Sequence, residues 1–324
     1  MKRFYVMASA SFFIFATLAP MGGAVAQEKK DETGTDPCDF SSKFMPYYRY
    51  TELENDVEVN EFVLFGMLAF NPKFAFTYEW PVAKEIDYSS VDAFKQFQQS
   101  GIGGDLPPIG NQPGGGGGLP FNDLESDGDV VGMGDLNLRF FYQIDSLRFT
   151  FMGGEKDFSI FPVVETTLPT ATEDILGGEA WILSPGIVFV FDMPFKSPPL
   201  GLGFFASMNF YDFDALKDSS RDHTSRYRGR WFWMQPLSMP AHLKDPEDKG
   251  WHVFDLAGLY LLTEFQPIYD FKESDFDFWV GPELGKILRD GYIFYAKPGF
   301  GVDNDSNSGD RKFTFELGFR YFFE

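Results

Sequence analysis

Phe313-Thr314-Phe315-Glu316-Leu317-Gly318-Phe319-Arg320-Tyr321-Phe322-Phe323, close to the end of the chain, is apolar at every odd position and mostly polar or glycine at the even ones. A period of two is typical of a β-strand whose two faces meet different surroundings. Lipid can cover the apolar face, but lipid tolerates only a closed sheet without unpaired backbone edges. The stretch therefore favours a strand of an outer-membrane β-barrel.

The same alternation recurs along the chain, most clearly at 74–82, 136–144, 259–270 and 292–300. At 158–167 it is blurred by Phe161 and Val163, and segments around 57–70, 180–192, 200–213 and 228–242 are apolar on both faces. Helical periodicity fits none of them as well. The predicted fold class is all-β, a transmembrane antiparallel up-and-down β-barrel of about 12 strands. These strands are expected at 43–54, 57–70, 73–83, 132–144, 147–168, 180–192, 200–213, 228–242, 251–271, 276–288, 291–302 and 311–323.

The first residues are typical of an export signal. Lys2 and Arg3 precede an apolar stretch from Phe4 to Leu18, and Ala24-Val25-Ala26 has the small-x-small pattern of a cleavage site. A transmembrane anchor is the alternative, but the apolar stretch is shorter than the roughly 20 residues that a span needs. We expect a signal peptide at 1–26 and a mature chain that begins at Gln27.

Composition favours a barrel over a helical membrane protein. Aromatic residues make up 19% of the chain, yet mean hydropathy is −0.19 and no long apolar run follows the leader. A large soluble β-sandwich or two small domains remain alternatives at 324 residues. The expected plan is a flexible periplasmic lead-in at 27–42 and a barrel at 43–324, with a long loop at 84–131 that contains a short helix at 91–99. Short turns on one side place both termini in the periplasm.

Charge and residue chemistry exclude several functions. Loss of the leader removes two of the 27 basic residues and none of the 48 acidic ones, so the formal charge moves from −21 to −23. Such a chain is unsuited to nucleic acid, whose phosphates attract the opposite sign. Cys38 is the only cysteine and cannot form an internal disulfide.

No enzyme activity, cofactor or metal is expected. His223, His242 and His252 are placed in loops or at strand ends, and the charged stretch 222–230 is interpreted as a solvated loop. The acidic loop 303–310 has the wrong spacing for a calcium site, because its glycine comes one position late and position twelve is Thr314.

Residue parity within the predicted strands indicates which charged side chains face the lumen. Charges of both signs inside a tube of about twelve strands can line a path for a solute, or they can pair with one another and fill the tube. As a hypothesis, Arg139 and Arg320 draw anionic solutes inwards. The expected channel-lining residues are Glu79, Arg139, Glu165, Glu264, Glu283, Lys297, Glu316 and Arg320.

Several short motifs resemble the outer-membrane barrel family named for the MetA pathway of phenol degradation. They are Gly132-Met133-Gly134-Asp135-Leu136-Asn137-Leu138-Arg139, Glu165-Thr166-Thr167-Leu168-Pro169-Thr170-Ala171-Thr172, Ser184-Pro185-Gly186, Gln235-Pro236 and Val280-Gly281-Pro282-Glu283-Leu284-Gly285. The resemblance covers about 60–323 and implies a roughly twelve-stranded barrel that passes small hydrophobic or aromatic compounds. The chain departs from the family in its insertion at 84–131 and in Glu324, which follows the last aromatic residue.

The function expected is therefore an outer-membrane channel or transporter for passive passage of small hydrophobic or aromatic compounds. The alternative is a non-conducting structural or binding barrel that presents acidic surface loops. Expected partners are outer-membrane lipid and lipopolysaccharide, the barrel assembly machinery acting through the C-terminal strand, and a small-molecule solute. The expected location is the bacterial cell outer membrane, reached through the periplasm.

Overall fold

The computed structural model describes residues 40–53, 57–88, 128–144, 147–151, 156–173, 176–177, 181–192, 203–216, 225–241, 245, 247–248, 250–271, 274–289, 291–302 and 311–323. The signal peptide, most of the lead-in with Cys38, the helix at 91–99, His223, His242 and the loop at 303–310 lie outside these ranges. The strands are β1 Lys43–Leu53, β2 Val57–Asn71, β3 Phe74–Tyr88, β4 Gly128–Gly132, β5 Leu136–Tyr142, β6 Arg148–Phe151, β7 Lys156–Leu168, β8 Trp181–Asp192, β9 Phe204–Leu216, β10 Ser225–Pro236, β11 Leu259–Asp270, β12 Asp275–Arg289, β13 Tyr292–Gly301 and β14 Arg311–Phe322.

Hydrogen-bonded antiparallel pairs close these strands into a barrel. Strand β1 pairs with β2 on one side and with β14 on the other, so the first and last strands of the sequence join. Strands β4 and β5 both pair with β3, and β5 and β6 both pair with β7, so β4, β5 and β6 occupy one position in the ring. The ring has twelve positions, and the predicted antiparallel barrel of about twelve strands is confirmed.

The strand boundaries differ from the sequence expectation in several places. The stretch 147–168 contains two paired strands, β6 and β7, instead of one. Strand β10 ends at Pro236 and β11 begins at Leu259, so 237–258 is a long connection. Pro236 and Pro240 lack the N–H that a continuing ladder needs, and Gly258 turns the chain into β11 at a φ of 74°.

Strand β3 continues into the region expected to be a long loop. Its residues Lys84 to Tyr88 pair with Gly132 to Gly128 of β4, so both ends of the stretch 84–131 are strand. The register between β2 and β3 shifts at Val82, because Phe62 faces Ala83 whereas Val63 faces Pro81. This bulge reverses the parity of the residues that follow it, which hides the continuing strand from a simple period-two pattern.

Both described ends of the chain lie at the same end of the barrel, called here the terminal end. Lys43 at the start of β1 is the register partner of Phe322 at the end of β14. The backbone N–H of Phe323 donates to the carbonyl oxygen of Ser42 at 3.0 Å. The opposite end, called the loop end, carries the connections between β3 and β4, β7 and β8, and β13 and β14.

The two faces of the barrel wall differ as the alternation predicts. Outward positions carry exposed large apolar side chains, including Leu284 (53% exposed) and Leu317 (54%). Inward positions carry charged side chains that are almost fully buried, such as Glu165 at 2%. Among the described residues no helix is long and apolar enough to cross a membrane.

Candidate functional site in the barrel interior

The interior near the terminal end is filled by apolar side chains, called here the apolar layer. Because each strand turns alternate residues inwards, one or two apolar residues from most strands meet on the axis. This explains why Phe161 and Val163 blur the alternation of β7, since both face the interior and are 1% exposed. The layer comprises Phe40, Ala75, Phe141, Phe161, Val163, Val188, Val190, Phe204, Ala206, Phe210, Met234, Tyr260, Ile287, Ile293 and Phe322.

Phe40 comes from the lead-in and not from the barrel wall. Its ring lies 5.7 Å from that of Phe161 in an edge-to-face arrangement and 6.0 Å from that of Phe141. Such aromatic pairs contribute attraction beyond their buried area. Ser42 fixes the same segment to the wall, because its Oγ accepts the N–H of Ala69 at 3.1 Å. Residues 40–42 therefore cover the apolar layer at the terminal end of the interior.

Above the apolar layer, ion-paired side chains form a ring around the interior, called here the charged belt. Most of these pairs join neighbouring strands along the inner face of the wall, and their side chains are buried or nearly so, so paired charges occupy the interior at this level. The belt comprises Arg49, Glu61, Glu79, Lys84, Arg139, Glu165, Asp212, Arg226, Arg228, Arg230, Glu264, Lys297 and Glu316.

One arc of the belt is centred on Glu165 of β7. Its carboxylate accepts hydrogen bonds from Arg139 of β5 and from Arg228 of β10. Arg139 also pairs with Glu79 at 3.0 Å, and Arg228 pairs with Asp212 at 3.1 Å. Charge-assisted bonds of this kind are the strong ones in protein interiors. The arc joins β3, β5, β7, β9 and β10 into one network.

The reach of Arg228 across β8 and β9 depends on a small residue between the partners. Gly186 of β8 faces inwards there, and a Cβ on it would lie 2.7 Å from the ring of Phe210 and 3.0 Å from Val163 Cγ1. Phe210 in turn lies under the guanidinium of Arg228, 5.0 Å from it. Glycine thus leaves room for the ring that lies beneath the arginine.

A second arc is centred on Glu264 of β11. One oxygen accepts a hydrogen bond from Arg230 Nε at 2.7 Å, and the other accepts one from Lys297 Nζ at 2.9 Å. Lys297 also pairs with Glu316 of β14 at 2.9 Å. The ammonium lies 5.4 Å from the ring of Trp279, which adds a cation–π contact. Every charge in this arc therefore has an opposite charge beside it.

The remaining part of the belt lies on β1, β2 and β3. Arg49 is the register partner of Glu316 on one side and of Glu61 on the other, and its Nε donates to Glu61 at 2.8 Å. Lys84 Nζ lies 3.6 Å from Glu61. These pairs connect Glu316, at the end of the second arc, with β3, where Glu79 begins the first arc. The belt therefore encircles the barrel.

Arg320 and Glu283 lie between the belt and the apolar layer. Arg320 donates to Glu283 at 2.6 Å and to the Tyr260 hydroxyl at 2.8 Å, and that hydroxyl donates to Glu283 at 2.7 Å. The guanidinium also lies 4.2 Å from the ring of Tyr295. Arg139 and Arg320, which were expected to attract anionic solutes, are therefore both already paired with carboxylates of the protein.

The buried charges of the described interior balance. Nine cationic and nine anionic side chains are buried or nearly so, when Arg230 and Arg320, each 14% exposed, are included. One pair among them, Asp277 and Arg311 at 3.5 Å, lies nearer the loop end. Because an uncompensated charge is costly away from water, this balance is expected of a filled interior. The excess negative charge of the chain lies elsewhere.

Two of the sequence motifs meet at the loop end and form what we call the clasp. Asp135, in the break between β4 and β5, accepts the backbone N–H groups of Thr170 and Ala171 at 2.9 and 3.0 Å. Thr172 Oγ1 accepts the N–H of Met133 at 2.9 Å. The clasp holds the connection after β7 against the wall, and Leu176 within it is fully buried.

Lys84 ties the clasp to the charged belt. Its Nζ donates to the carbonyl oxygen of Leu176 at 3.2 Å while it faces Glu61. The close approach requires glycine at Gly177, where a Cβ would lie 2.5 Å from an oxygen of Asp135. Belt, clasp and loop are thus one connected set of polar contacts.

The structure places the eight expected channel-lining residues on the inner face of the wall. Seven are buried, and Arg320 is partly buried. The structure brings them together through partners that the sequence reasoning missed, chiefly Asp212, Arg226, Arg228 and Arg230. The interpretation of 222–230 as a solvated loop is wrong from Ser225 onwards, because β10 begins there and these arginines face inwards. Their spacing of two residues was a signal that could have identified them.

His252, at the terminal end, is the described member of the three histidines. Its imidazole contacts Asp248 at 2.8 Å and also Asp255. These hydrogen bonds, first that of Asp248 and then that of Asp255, raise the pKa of His252. The same contacts lower the pKa of Asp248, and that of Asp255 to about 2. The group is a charge-paired surface cluster.

Comparison with known proteins gives structural likeness only. No protein-family model and no curated protein matches the chain. The NanC porin is similar with a TM-score of 0.45 and 8% identity over 88% of this chain and 100% of that chain. The KdgM porin has a TM-score of 0.43 and 9% identity over 87% and 99%.

An enzyme is among the similar structures as well. The outer membrane phospholipase A from Escherichia coli has a TM-score of 0.39 and 7% identity over 87% of this chain and 93% of that chain. At these values none of the likenesses bears on what this chain carries or catalyses.

Proposed function

We propose that the protein is an outer-membrane channel for the passive passage of small hydrophobic or aromatic compounds. The membrane setting is supported by the closed hydrogen-bonded ring and by its outward rows of apolar side chains. Within the described part of the chain no second layer covers these rows, and lipid is the medium that a closed sheet of this kind fits. The terminal end would face the periplasm.

The observation that carries the choice of solute is the apolar layer. A path for hydrated ions needs polar groups that can exchange with water, whereas the terminal half of this interior presents aromatic and aliphatic side chains. A neutral aromatic molecule can replace the contacts that Phe40, Phe141 and Phe161 make with one another. Passage requires these side chains to move, since they fill the interior in the closed arrangement described above.

The charged belt would act as the selective barrier. A hydrated ion entering it must compete with partners that each charge already has, and must separate buried ion pairs. A neutral solute does not have to separate these ion pairs if the aliphatic stems of the arginines and lysines move aside while their charged ends stay paired. The proposed channel-lining residues are Glu79, Arg139, Glu165, Glu264, Glu283, Lys297, Glu316 and Arg320.

The resemblance to the MetA-pathway barrels supports the same class of solute. Two of its motifs, 132–139 and 165–172, supply both sides of the clasp and the Arg139–Glu165 contact. The proposal includes the remaining expected partners, namely lipopolysaccharide in the outer leaflet and the assembly machinery that would recognise β14. No catalytic role is assigned to any residue.

The alternative is a non-conducting barrel that presents acidic loops for structure or binding. The balance of the buried charges favours it, because nine cationic and nine anionic side chains can serve simply to fill the interior. The net charge of −21, located outside the balanced interior, suits either function.

Uptake separates the two functions. Neutral aromatics cross phospholipid readily, so the vesicles must carry lipopolysaccharide in their outer leaflet, with benzyl alcohol as the probe. A channel is expected to accelerate entry of benzyl alcohol over protein-free vesicles and to show little ionic conductance in planar bilayers. Entry at the protein-free rate would favour the non-conducting barrel instead.

A further inference from the structure

The connection between β10 and β11 exposes an unusual number of large apolar side chains. Six of its described residues are exposed large apolar side chains, Phe254 completely and Leu256 at 75%. Exposed apolar patches outside a membrane-spanning face mark contact with a partner or a membrane. The six are Leu237, Met239, Trp251, Val253, Phe254 and Leu256.

This connection packs against the outward face of the wall. Lys286 of β12 lies on that face, because its neighbour Gly285 is the inward register partner of Tyr260. Its ammonium donates to the carbonyl oxygens of Asp255 and Ala257 at 2.6 and 2.9 Å and pairs with the Asp255 carboxylate at 3.1 Å. The segment 251–257 therefore neutralises a lysine that would otherwise face lipid.

The segment continues an aromatic row of the wall. Trp251 lies 5.3 Å from the ring of Tyr292, the first residue of β13. Tyr292 lies 4.6 Å from Tyr321 and 5.7 Å from Phe319, both on the outward face of β14. Aromatic rows at the ends of membrane barrels lie at the level of the lipid headgroups. The apolar side chains next to Trp251 are thus continuous with the lipid-facing surface.

The chemistry of the connection is divided along its length. A charged stretch from Lys244 to Lys249, with Asp245, Glu247 and Asp248 between the two lysines, precedes Gly250, whereas Trp251, Val253, Phe254 and Leu256 follow it. His252 and Asp255 are the exceptions within the second part, and Asp255 is paired with both His252 and Lys286. A charged stretch followed by an apolar stretch with paired charges is suited to the boundary between water and acyl chains.

We propose that residues 251–257 lie in the lipid leaflet at the terminal end of the barrel, with Val253, Phe254 and Leu256 inserted among phospholipid acyl chains near the headgroups. The segment anchors that end of the barrel at a fixed depth. This inference rests on the membrane setting of the proposed function, but not on transport.

Site-directed spin labelling measures the depth directly. In a Cys38→Ser background, Phe254→Cys is labelled and the protein is reconstituted into phospholipid vesicles. Oxygen concentrates in lipid and a nickel chelate in water, so power saturation with each reports the surroundings of the label. Leu284→Cys, on the outward face of β12, is the lipid reference, and Glu173→Cys, exposed at the loop end, is the water reference.

The three sites distinguish the possible results. We expect the Phe254 label to resemble the Leu284 label, with a several-fold preference for oxygen over nickel. A Phe254 label that resembles the Glu173 label, while Leu284 is in lipid, would overturn the inference and leave the proposed function standing. A Leu284 label in water would overturn the membrane setting itself.

A second variant tests the anchoring contact. Adding Lys286→Ala to the Phe254→Cys protein removes the ammonium that holds Asp255 and Ala257. We expect the label to become more mobile in the vesicles. Unchanged mobility would show that the contacts of Lys286 do not position the segment.

Discussion

The two halves of the barrel interior use opposite means to fill similar space. The apolar layer at the terminal end packs side chains without charge, whereas the charged belt fills its level with pairs that cancel. When a side chain of an apolar core is shortened, the free energy of unfolding falls gradually with the contacts that are removed. A paired belt loses much more when one partner is removed, because the other charge remains buried. The layer is thus suited to yielding to a solute, and the belt to resisting an ion.

The largest effect is expected at Glu165, since it serves two arginines. Glu165→Gln leaves Arg139 and Arg228 with one fewer buried carboxylate between them. We expect the free energy of unfolding to fall by about 3–5 kcal/mol, measured by denaturant unfolding in lipid vesicles. The control is Glu52→Gln, whose partner Lys312 is half exposed, with a change within about 1 kcal/mol. Equal effects would contradict the contrast between buried and surface pairs.

Phe40→Ala tests the apolar layer at the point where the lead-in enters it. Loss of the ring contacts with Phe141 and Phe161 is expected to reduce the free energy of unfolding by about 3 kcal/mol and to speed uptake of benzyl alcohol. The matched control is Phe70→Ala at the same end, because Phe70 faces outwards and is 55% exposed. Faster uptake in both variants, or in neither, would argue against Phe40 as the closure.

Asp135→Ala addresses the clasp and has an intermediate effect. The backbone N–H groups of Thr170 and Ala171 lose their acceptor, so their opening free energy should fall by about 1–3 kcal/mol. Hydrogen exchange at these two amides measures it. Glu173→Gln, exposed on the same connection, should leave exchange unchanged. Unaltered exchange in Asp135→Ala would show that other contacts hold the loop.

The smallest expected effect is a dependence on pH. It arises from His252 and Asp255, which lie outside both the apolar layer and the charged belt. Because the pKa of His252 is raised, the stabilisation that its charged imidazole gives to the folded connection is fully present below about pH 6.5. That stabilisation is lost as the pH rises through the folded-state pKa of His252. The pKa of Asp255 is lowered to about 2. The stabilisation from its carboxylate is therefore present above about pH 3.9 and is lost as the pH falls towards about 2.

Between these limits His252⁺ bridges Asp248 and Asp255, and Lys286 faces Asp255 from β12. The mobility of the Phe254 label should therefore be lowest near pH 5 and rise at higher pH. His252→Asn should abolish the rise. A label whose mobility is constant from pH 5 to 9 would contradict the assignment.

The contrast between the layers also explains what the sequence could predict. Alternation in β11, β13 and β14 is clean because the inward positions there include belt residues such as Glu264, Lys297 and Glu316. Alternation is poor in β8 and β9, where Val188, Val190, Phe204 and Phe210 enter the apolar layer. A strand with lipid outside and apolar packing inside has no polar face to reveal its period.

The ion-pair partners of the charged side chains were harder to predict than the face of the wall on which each side chain lies. Parity placed Glu79, Arg139 and Glu165 on the inner face, but pairing depends on which strands the closed ring brings within reach. Arg228 meets Glu165 only because two intervening strands present Gly186 and Phe210 beneath it. The bulge at Val82 likewise depends on pairing between β2 and β3. Such features follow from the tertiary register and have no local signal.

The most direct test of the account compares two aromatic solutes of similar size, one neutral and one anionic. Uptake of benzyl alcohol and of benzoate is followed in vesicles that carry the protein and lipopolysaccharide in the outer leaflet. The account predicts that the protein accelerates benzyl alcohol well above the protein-free rate and leaves benzoate close to it. Equal acceleration of both, or of benzoate alone, would contradict an apolar path guarded by a ring of paired charges.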